Sequence, residues 1–233
     1  MTKKIRWGIL GTGKIAVDFG LALQLVKDAE LQAIASRNVK KAKQFAKNLG
    51  AARYFDNYDD LVADPNIDIV YIATPNALHK EHSLLALNAG KPVLCEKPFA
   101  LTADEAQTVI DVARSKGLFC MEAMWIRFIP AMQAVKQCVT KGEIGDINLL
   151  IADMGYPASA SSHRSLFNPQ GGGVLLDRGI YLISLAYFLL GKPDGIVSQA
   201  RLNAQGIDEQ ISILLNYKSG AQANLAATFK TYK

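Results

Sequence analysis

The first half of the chain alternates short apolar runs with stretches of helical periodicity. The runs are nearly continuous in apolar residues, as is typical of parallel strands covered on both faces. They lie at residues 5–10, 31–36, 68–74, 92–96 and 118–121. Because parallel neighbours are joined by right-handed helical crossovers, this pattern predicts a doubly wound, parallel α/β sheet.

The segments between these runs carry signals for the start and the end of helices. Asn38 can cap a helix that Gly50 ends. The capping box "TADE" at 102–105 opens another helix, which stops at Gly117. The residues at element ends therefore support the same strand–helix–strand order as the apolar runs.

From about residue 122 the pattern changes from alternation to a run of strands. The predicted elements are a helix near 130–141, a strand at 147–155, a polar loop at 156–173, an apolar helix at about 174–190 and strands at 196–201, 208–216 and 221–230. We therefore predict a first domain over residues 1–121 and a second domain over 122–233. The second is expected to be α+β, with an open, mostly antiparallel sheet.

Charge and cysteine content narrow the range of partners. The 26 basic and 21 acidic residues leave a net charge of +5 that is spread along the chain, which favours a small anionic ligand over nucleic acid. The three cysteines share no metal-like spacing, so we expect neither disulfides nor a bound metal, and a reducing cytoplasm fits best. The longest apolar run, at 181–190, is too short to span a bilayer, so no membrane is expected.

A glycine-rich loop, "GILGTGKIA", follows the first apolar run and places Gly11, Gly13 and Ala16 in a G-x-G-x-x-A pattern. Glycines there permit a tight turn, and the following helix offers free N–H groups to a pyrophosphate. The same glycines could serve a plain strand-to-helix turn, but the βαβ context favours a Rossmann dinucleotide site. The predicted cofactor contacts in this loop are Gly11, Thr12, Gly13, Lys14 and Ile15.

The end of the second run bears on which dinucleotide is bound. Sites specific for NAD usually place an acid there to hold the ribose 2′-hydroxyl, whereas this chain has Ser36 and Arg37. A serine hydroxyl and a planar guanidinium suit a 2′-phosphate. Arg37 could also be a solvated residue before a helix cap. The missing acid favours NADP, with NAD possible.

The fourth run, "PVLCE", ends on adjacent charges, Glu96 and Lys97, followed by Pro98. A strand-end lysine neutralised by its neighbour is one interpretation, and a rigidly held functional lysine is the other. The residues of this segment alone favour neither interpretation over the other.

Five motifs in register indicate a family. The glycine loop, "ATPNALH" (73–79), "CEKPFA" (95–100), "MEAMWIRFIPA" (121–131) and "GGGVLLDRGIY" (171–181) resemble the Gfo/Idh/MocA oxidoreductases. Within that family the chain resembles the branch of dimeric dihydrodiol dehydrogenase and NADP-dependent sugar dehydrogenases. The resemblance implies an N-terminal Rossmann domain that binds a nicotinamide nucleotide and a C-terminal open sheet that shapes the substrate site.

The resemblance also implies catalytic roles. Lys97 would stabilise the substrate oxygen, and the Lys97–Pro98 bond would be cis. Tyr181 stands where many members have a histidine and would move the proton. An ordinary phenol, whose pKa is about 10, is a poor base at neutral pH, but a nearby ammonium favours the phenolate. Asp177 would contact substrate or Lys97, or cap the helix; Tyr181 could instead simply pack with its apolar neighbours.

Further cofactor contacts follow from the same resemblance. Those that follow the third and fourth apolar runs, at 68–74 and 92–96, would be Thr74, Pro75, Asn76, His79, Glu96 and Lys97. Trp125 and Arg127 would line the nicotinamide end, although Trp125 could equally belong to the core. A lone histidine such as His79 is more often a satisfied helix residue than a ligand.

The predicted function is an NADP-dependent oxidoreductase that acts on a secondary alcohol or carbonyl of a sugar or cyclic diol. The alternative is a non-catalytic or degraded NADP-binding member that acts as a sensor or is an inactive fragment. By resemblance we expect a homodimer formed through the open sheet, where "QANLAATFK" (222–230) alternates in polarity. Since members of the family continue beyond the strand-like "ATFKTYK" (227–233), we expect a C-terminally truncated member with an incomplete second sheet.

Overall fold

Six strands of the first half form one parallel sheet in the computed structural model, which describes residues 3–232. The strands are β1 (Ile5–Leu10), β2 (Ala29–Ala35), β3 (Arg53–Phe55), β4 (Ile69–Ile72), β5 (Val93–Cys95) and β6 (Cys120–Glu122). Their order is β3-β2-β1-β4-β5-β6, and every pairing is parallel. The order reverses between β1 and β4, which is where open α/β sheets bind ligands at the carboxyl ends of their strands.

Helices connect these strands, and the two for which the sequence predicts caps, at Asn38 and Thr102, begin at those caps. The helices are α1 (Lys14–Leu23), α2 (Val39–Leu49), α3 (Tyr58–Ala63), α4 (His79–Asn88) and α5 (Ala103–Ser115). The side chain of Asn38 accepts a hydrogen bond from the backbone N–H of Lys41, and that of Thr102 accepts one from Glu105. The short elements β3 and α3 were not predicted, because three and six residues are too few to establish a periodicity.

Both faces of the first sheet are buried, which explains the continuous apolar runs. Along β4, Val70 and Ile72 pack into one apolar cluster, whereas Tyr71 between them packs into another with Ile9 and Ile34. Successive strand residues point to opposite faces, so two covered faces require apolar residues at every position. The predicted doubly wound sheet is confirmed.

The second half forms a four-stranded mixed sheet. Its strands are β7 (Leu149–Gly155), β8 (Gly195–Leu202), β9 (Asp208–Asn216) and β10 (Gln222–Thr228), in the order β7-β10-β9-β8. Strands β10 and β7 pair in parallel, and the other two pairings are antiparallel. The chain divides into two compact units after Ala123.

Two helices and a π-helical turn accompany this sheet, together with 3₁₀ turns at Trp125–Phe128 and Arg164–Phe167. The helices and the π-helical turn are α6 (Pro130–Thr140), α7 (Ile180–Leu190) and the segment Leu175–Gly179, which we call the π-turn. The helix predicted at about 174–190 is therefore confirmed as a continuous helical segment that contains this π-turn. Leu182 of α7 packs with Ile213 and Leu225 on one face of the sheet. The opposite face is open, and Ile151 is 69 % exposed.

No helix among residues 3–232 combines the length and the apolar character needed to cross a membrane. Nor do three or more metal-ligating side chains of these residues lie together as a candidate metal site.

Candidate active site

The turn after β1 is shaped by the backbone of Gly11. Its φ of +109° lies in the left-handed region, and a Cβ atom there would overlap the carbonyl oxygen of Ala73 at the end of β4. Gly13 precedes α1, whose first turn has neither an acidic residue nor a side-chain cap. The N–H groups at the start of α1 therefore remain available to an anion. Lys14 and Ile15 lie on the exposed side of this first turn.

A cavity of about 410 Å³ lies at the carboxyl ends of β1, β2 and β4. The turns after these strands line it, together with two residues of the helices that follow. Its lining residues are Gly11, Thr12, Gly13, Ser36, Arg37, Asn38, Lys41, Tyr58, Ala73, Thr74 and Pro75. Seven predicted cofactor residues are thus brought together, and none of the described lining residues is acidic.

The turn after β2 forms the basic side of this cavity. The Ser36 hydroxyl accepts hydrogen bonds from Thr12 Oγ1 at 3.2 Å and from the backbone N–H of Asn38 at 3.3 Å. Arg37 is exposed and lies close to Tyr58: burial raises the pKa of the Tyr58 phenol, and Arg37 opposes that shift. Lys41 adds a second cation.

Sequence reasoning did not nominate four of the lining residues, which are Asn38, Lys41, Tyr58 and Ala73. A signal existed for Lys41, since the first turn of α2 carries Lys40 and Lys41 and no acid, whereas the positive end of a helix favours acidic side chains. Tyr58 opens the unpredicted helix α3 and left no signal.

The buried ring of His79 links the turn after β4 to the turn after β5. The ring is 1 % exposed, with Nδ1 2.7 Å from the carbonyl oxygen of Pro98 and Nε2 2.8 Å from that of Thr74. Burial lowers the pKa of His79, although both carbonyls raise it. Asn76, by contrast, lies half-buried in a short 3₁₀ turn. The ring nitrogens of His79, which the resemblance nominates as a cofactor contact, face the backbone carbonyl oxygens of these two turns.

The turn after β5 holds a buried carboxylate beside the candidate catalytic lysine. The Lys97–Pro98 peptide bond is cis, as predicted. Glu96 accepts hydrogen bonds from the Tyr71 hydroxyl and, at 3.2 Å, from the backbone N–H of Lys97. Burial raises the pKa of Glu96, and Tyr71 partly opposes the shift. Tyr71, which sequence reasoning did not nominate, is itself held by a stacked contact with Phe19, with ring centroids 3.8 Å apart.

In the second unit, the predicted tyrosine lies against the predicted tryptophan. The Trp125 indole N–H donates to the Tyr181 hydroxyl oxygen at 3.3 Å, and the ring centroids are 6.2 Å apart. Arg127 donates from Nε to the Ser184 hydroxyl at 2.9 Å and lies over the Phe188 ring. The structure therefore brings Trp125 to Tyr181 and packs Arg127 against the next turn of α7.

Asp177 lies on the π-turn, one turn before Tyr181. The π-turn is anchored by Asp208, whose Oδ2 accepts from the Leu175 N–H at 2.6 Å. A Cβ on Gly173 would overlap the Asp208 carboxylate, which explains a glycine there. Asp177 is half-buried and lies 3.6 Å from Nε of Arg178. Isolated π-turns occur frequently at functional sites, and this one carries a candidate catalytic carboxylate.

Comparison with known proteins places both units in one family. Residues 5–124 match the family described as oxidoreductases with an NAD-binding Rossmann fold, and residues 132–233 match its GFO/IDH/MocA C-terminal domain. The chain belongs to the Gfo/Idh/MocA oxidoreductase family. The resemblance predicted from the five motifs is confirmed.

Named members of the Gfo/Idh/MocA family match most of the chain. Trans-1,2-dihydrobenzene-1,2-diol dehydrogenase of Mus musculus is 38 % identical over 231 residues, which cover 97 % of this chain and 69 % of that protein. The solved 3-ketoreductase KijD10 from Actinomadura kijaniata, in complex with NADP and TDP-benzene, superposes with a TM-score of 0.87 at 31 % identity. That match covers 99 % of this chain and 72 % of the other.

A third relative extends the range of chemistry within the family. The scyllo-inositol dehydrogenase of Lactobacillus casei superposes with a TM-score of 0.87 at 28 % identity, covering 100 % of this chain and 70 % of that one. These Gfo/Idh/MocA relatives are dehydrogenases and reductases of small molecules, and a nicotinamide dinucleotide is the cofactor that the family description supports.

Proposed function

We propose that this chain is an NADP-dependent oxidoreductase that interconverts a secondary alcohol and a carbonyl on a sugar or cyclic diol. Residues 1–121 would bind the cofactor, and residues 122–233 would bind substrate and form the dimer. The single observation that carries the choice of NADP is the basic side of the 410 Å³ cavity, formed by Ser36, Arg37 and Lys41 with no acidic lining residue.

The residues of the first unit fit a dinucleotide. Gly11 permits the close approach of the turn to the Ala73 carbonyl, which a Cβ would overlap. Gly13 has open space around the position of its missing Cβ, so a pyrophosphate can approach the backbone N–H groups at the start of α1. Arg37 and Lys41 would hold the 2′-phosphate, and Thr74 and Pro75 would line the ribose side. When bound, the nicotinamide supplies or accepts the hydride, which is the difficult part of the chemistry.

The chain's own side chains would manage the substrate oxygen and its proton. Lys97 places a cation where negative charge develops on that oxygen. Tyr181 would give or take the proton, and the Trp125 indole N–H stabilises negative charge on the phenol oxygen when the proton has left. Asp177 would contact substrate or Lys97. The family resemblance supports these assignments, together with the Trp125–Tyr181 contact.

The substrate class is supported by the relatives and by the exposed aromatic ring beside Tyr181. Those relatives are named for a cyclic diol, a keto group and an inositol. Two of these names denote hydroxylated carbon rings, and the third denotes a carbonyl. Trp125 is exposed and offers a flat apolar surface to one face of such a ring.

Replacement of Tyr181 tests the chemistry. We expect Tyr181→Phe to lower kcat by about a hundredfold or more while the affinity for NADPH stays within a few-fold. Tyr187→Phe is the matched control, since Tyr187 lies on the same helix with an exposed ring. Stopped-flow oxidation of NADPH with a panel of ketoses, inosose and diketones measures kcat. Normal turnover by Tyr181→Phe would remove this residue from the mechanism.

Replacement of Arg37 tests the choice of cofactor. An acid at this position repels a 2′-phosphate and can accept from a 2′-hydroxyl, so Arg37→Glu should raise the dissociation constant of NADPH far more than that of NADH. Lys40→Glu makes the same charge change three residues away, outside the cavity lining. Fluorescence titration with both nucleotides measures the effect, and equal changes for the two would contradict NADP specificity.

The open face of the β7–β10 sheet would form the homodimer interface. Ile151 and Val197, 69 % and 63 % exposed, present apolar surface on this face. Analytical ultracentrifugation should give a dimer at micromolar concentration, and Ile151→Asp should shift it toward monomer. A monomeric wild-type chain under these conditions would count against the dimer.

A further inference from the structure

Arg178 is the one basic residue in the apolar segment from Val174 to Leu190, and it is buried at 1 % exposure. Its guanidinium carbon lies 3.3 Å from the ring centroid of Tyr156 and 4.4 Å from that of Phe229. Two aromatic faces therefore enclose the cation, an arrangement in which ring and charge attract each other.

The hydrogen bonds of Arg178 explain why a cation suits this place. Nη1 donates to the carbonyl oxygens of Tyr156, at 2.6 Å, and of Thr228. These residues lie at the carboxyl ends of β7 and β10, which pair in parallel with Thr228 opposite Gly155. Parallel pairing brings two strand-end carbonyls to the same edge, where the two N–H groups of Nη1 can reach both.

The arrangement is costly for stability alone. Nε and Nη2 of Arg178 are buried, and neither has a hydrogen-bond partner among residues 3–232. Oδ2 of Asp177 forms an ion pair with Arg178 at a distance of 3.6 Å from Nε. Buried ion pairs are often replaced by apolar residues without loss of stability, so a partly satisfied buried arginine calls for another reason.

We infer that Arg178 is a positioning residue for the catalytic segment. By binding the strand ends of β7 and β10, it holds the π-turn on the sheet and thereby sets the positions of Asp177 beside it and Tyr181 one turn later. The inference rests on the proposed function only in assigning catalysis to Asp177 and Tyr181. The contacts that position the π-turn do not depend on that assignment.

Arg178→Met separates positioning from folding, because methionine fills similar space without a buried charge. We expect its Tm to stay within a few degrees of wild type, kcat to fall about tenfold or more, and the NADPH dissociation constant to change less than twofold. The NADPH dissociation constant should stay nearly unchanged because the 410 Å³ cavity is lined by residues of the first unit. Arg114→Met, at an exposed arginine in the last turn of α5, is the control and should leave all three unchanged.

Hydrogen exchange and tryptophan fluorescence report the position of residues 175–181 without cofactor or substrate. Hydrogen exchange of the amides at 175–181 should accelerate about tenfold in Arg178→Met, while those of β9 stay as in wild type. Trp7 and Trp125 are the only tryptophans, so in a Trp7→Phe background the emission reports the Trp125–Tyr181 contact and should shift in Arg178→Met.

Two further variants keep the inference testable if Arg178→Met does not fold. Arg178→Lys retains the charge without the planar guanidinium that lies over the two rings, and Tyr156→Leu removes one ring face at a partly exposed position. Both should accelerate exchange at 175–181, by less than Arg178→Met. Wild-type exchange rates in that segment for every folded variant, or a loss of kcat that only follows the unfolded fraction, would overturn the inference.

Failure of the proposed function would be seen differently. If Tyr181→Phe and Asp177→Asn both turn over normally with Arg178 intact, the catalytic assignment is wrong. Faster exchange at 175–181 in Arg178→Met would then still establish that Arg178 positions the π-turn.

Discussion

The two sheets of this protein place their candidate functional groups in different ways. The β1–β6 sheet is covered on both faces, and its candidate site consists of turns at the carboxyl ends of β1, β2, β4 and β5. The β7–β10 sheet is covered on one face only, and its candidate groups are side chains of the π-turn, α7 and the 3₁₀ turn at Trp125–Phe128. The first unit therefore depends on backbone geometry and the second on side-chain packing.

The difference shows how each unit can be damaged. In the first unit a single Cβ can block a turn, because strand ends approach each other closely there. In the second unit the covered and the open face of one strand should respond in opposite ways to the same truncation.

The largest effect is expected for Gly11→Ala. An added Cβ would combine an unfavourable φ of +109° with overlap against the Ala73 carbonyl, so the turn after β1 must move. We expect NADPH binding to weaken by about a thousandfold or more. Gly117→Ala is the matched control, because its φ is also positive, at +63°, but open space surrounds it. Fluorescence titration measures binding; equal losses in both variants would show that φ strain, and not the close approach, matters.

The next effect contrasts the two faces of the second sheet. Leu225 is 2 % exposed on the covered face of β10, so Leu225→Ala should lower the free energy of unfolding by about 2–5 kcal/mol. Ile151 lies on the open face, and Ile151→Ala should change the free energy of unfolding of the monomer by no more than about 0.5 kcal/mol. Urea denaturation at protein concentrations below dimer formation measures both. Comparable losses would mean that the open face is covered within one chain.

The smallest effect concerns a hydrogen bond inside the first unit. Tyr71→Phe removes the donor to the buried Glu96 carboxylate and should lower the free energy of unfolding by about 1–3 kcal/mol at pH 8. Tyr54→Phe, on the partly exposed strand β3, is the control.

This effect depends on pH with a definite sign. Because burial raises the pKa of Glu96 in the folded state, its contribution to stability is fully present below the unfolded value of about 4.3 and is lost as pH rises. Loss of the Tyr71 donor raises the folded pKa further. The difference between wild type and Tyr71→Phe should therefore widen from pH 4 to pH 8. A constant difference across this range would show that Glu96 does not ionise in the folded protein.

Most of the first unit could be predicted from the sequence because its signals are local. Continuous apolar runs, caps such as Asn38 and Thr102, and the glycines of the first turn each act within a few residues. The alternation of strand and helix and the place of the phosphate turn follow from them. The family motifs added the nominated side chains.

Contacts between distant segments were decided only by the tertiary structure. Lys41 and Tyr58 line the cavity with Arg37 because α2 and α3 both start beside the strand ends. His79 turns inward to two carbonyls that lie 5 and 19 residues away along the chain. Tyr71 meets Glu96 across two paired strands. Such partners carry no periodic signal, because sequence separation does not report which strands become neighbours.

The neighbouring residues Asp177 and Arg178 separate what the sequence determines from what the tertiary structure decides. The sequence by itself determined that a charged pair interrupts an apolar segment at Asp177 and Arg178, and that a family motif passes through it. Only the tertiary structure decided that Asp177 remains partly exposed while Arg178 is enclosed by two rings and two strand ends. The physical reason is that the parallel pairing of β7 with β10 creates the acceptor pair, and that pairing joins strands about 70 residues apart.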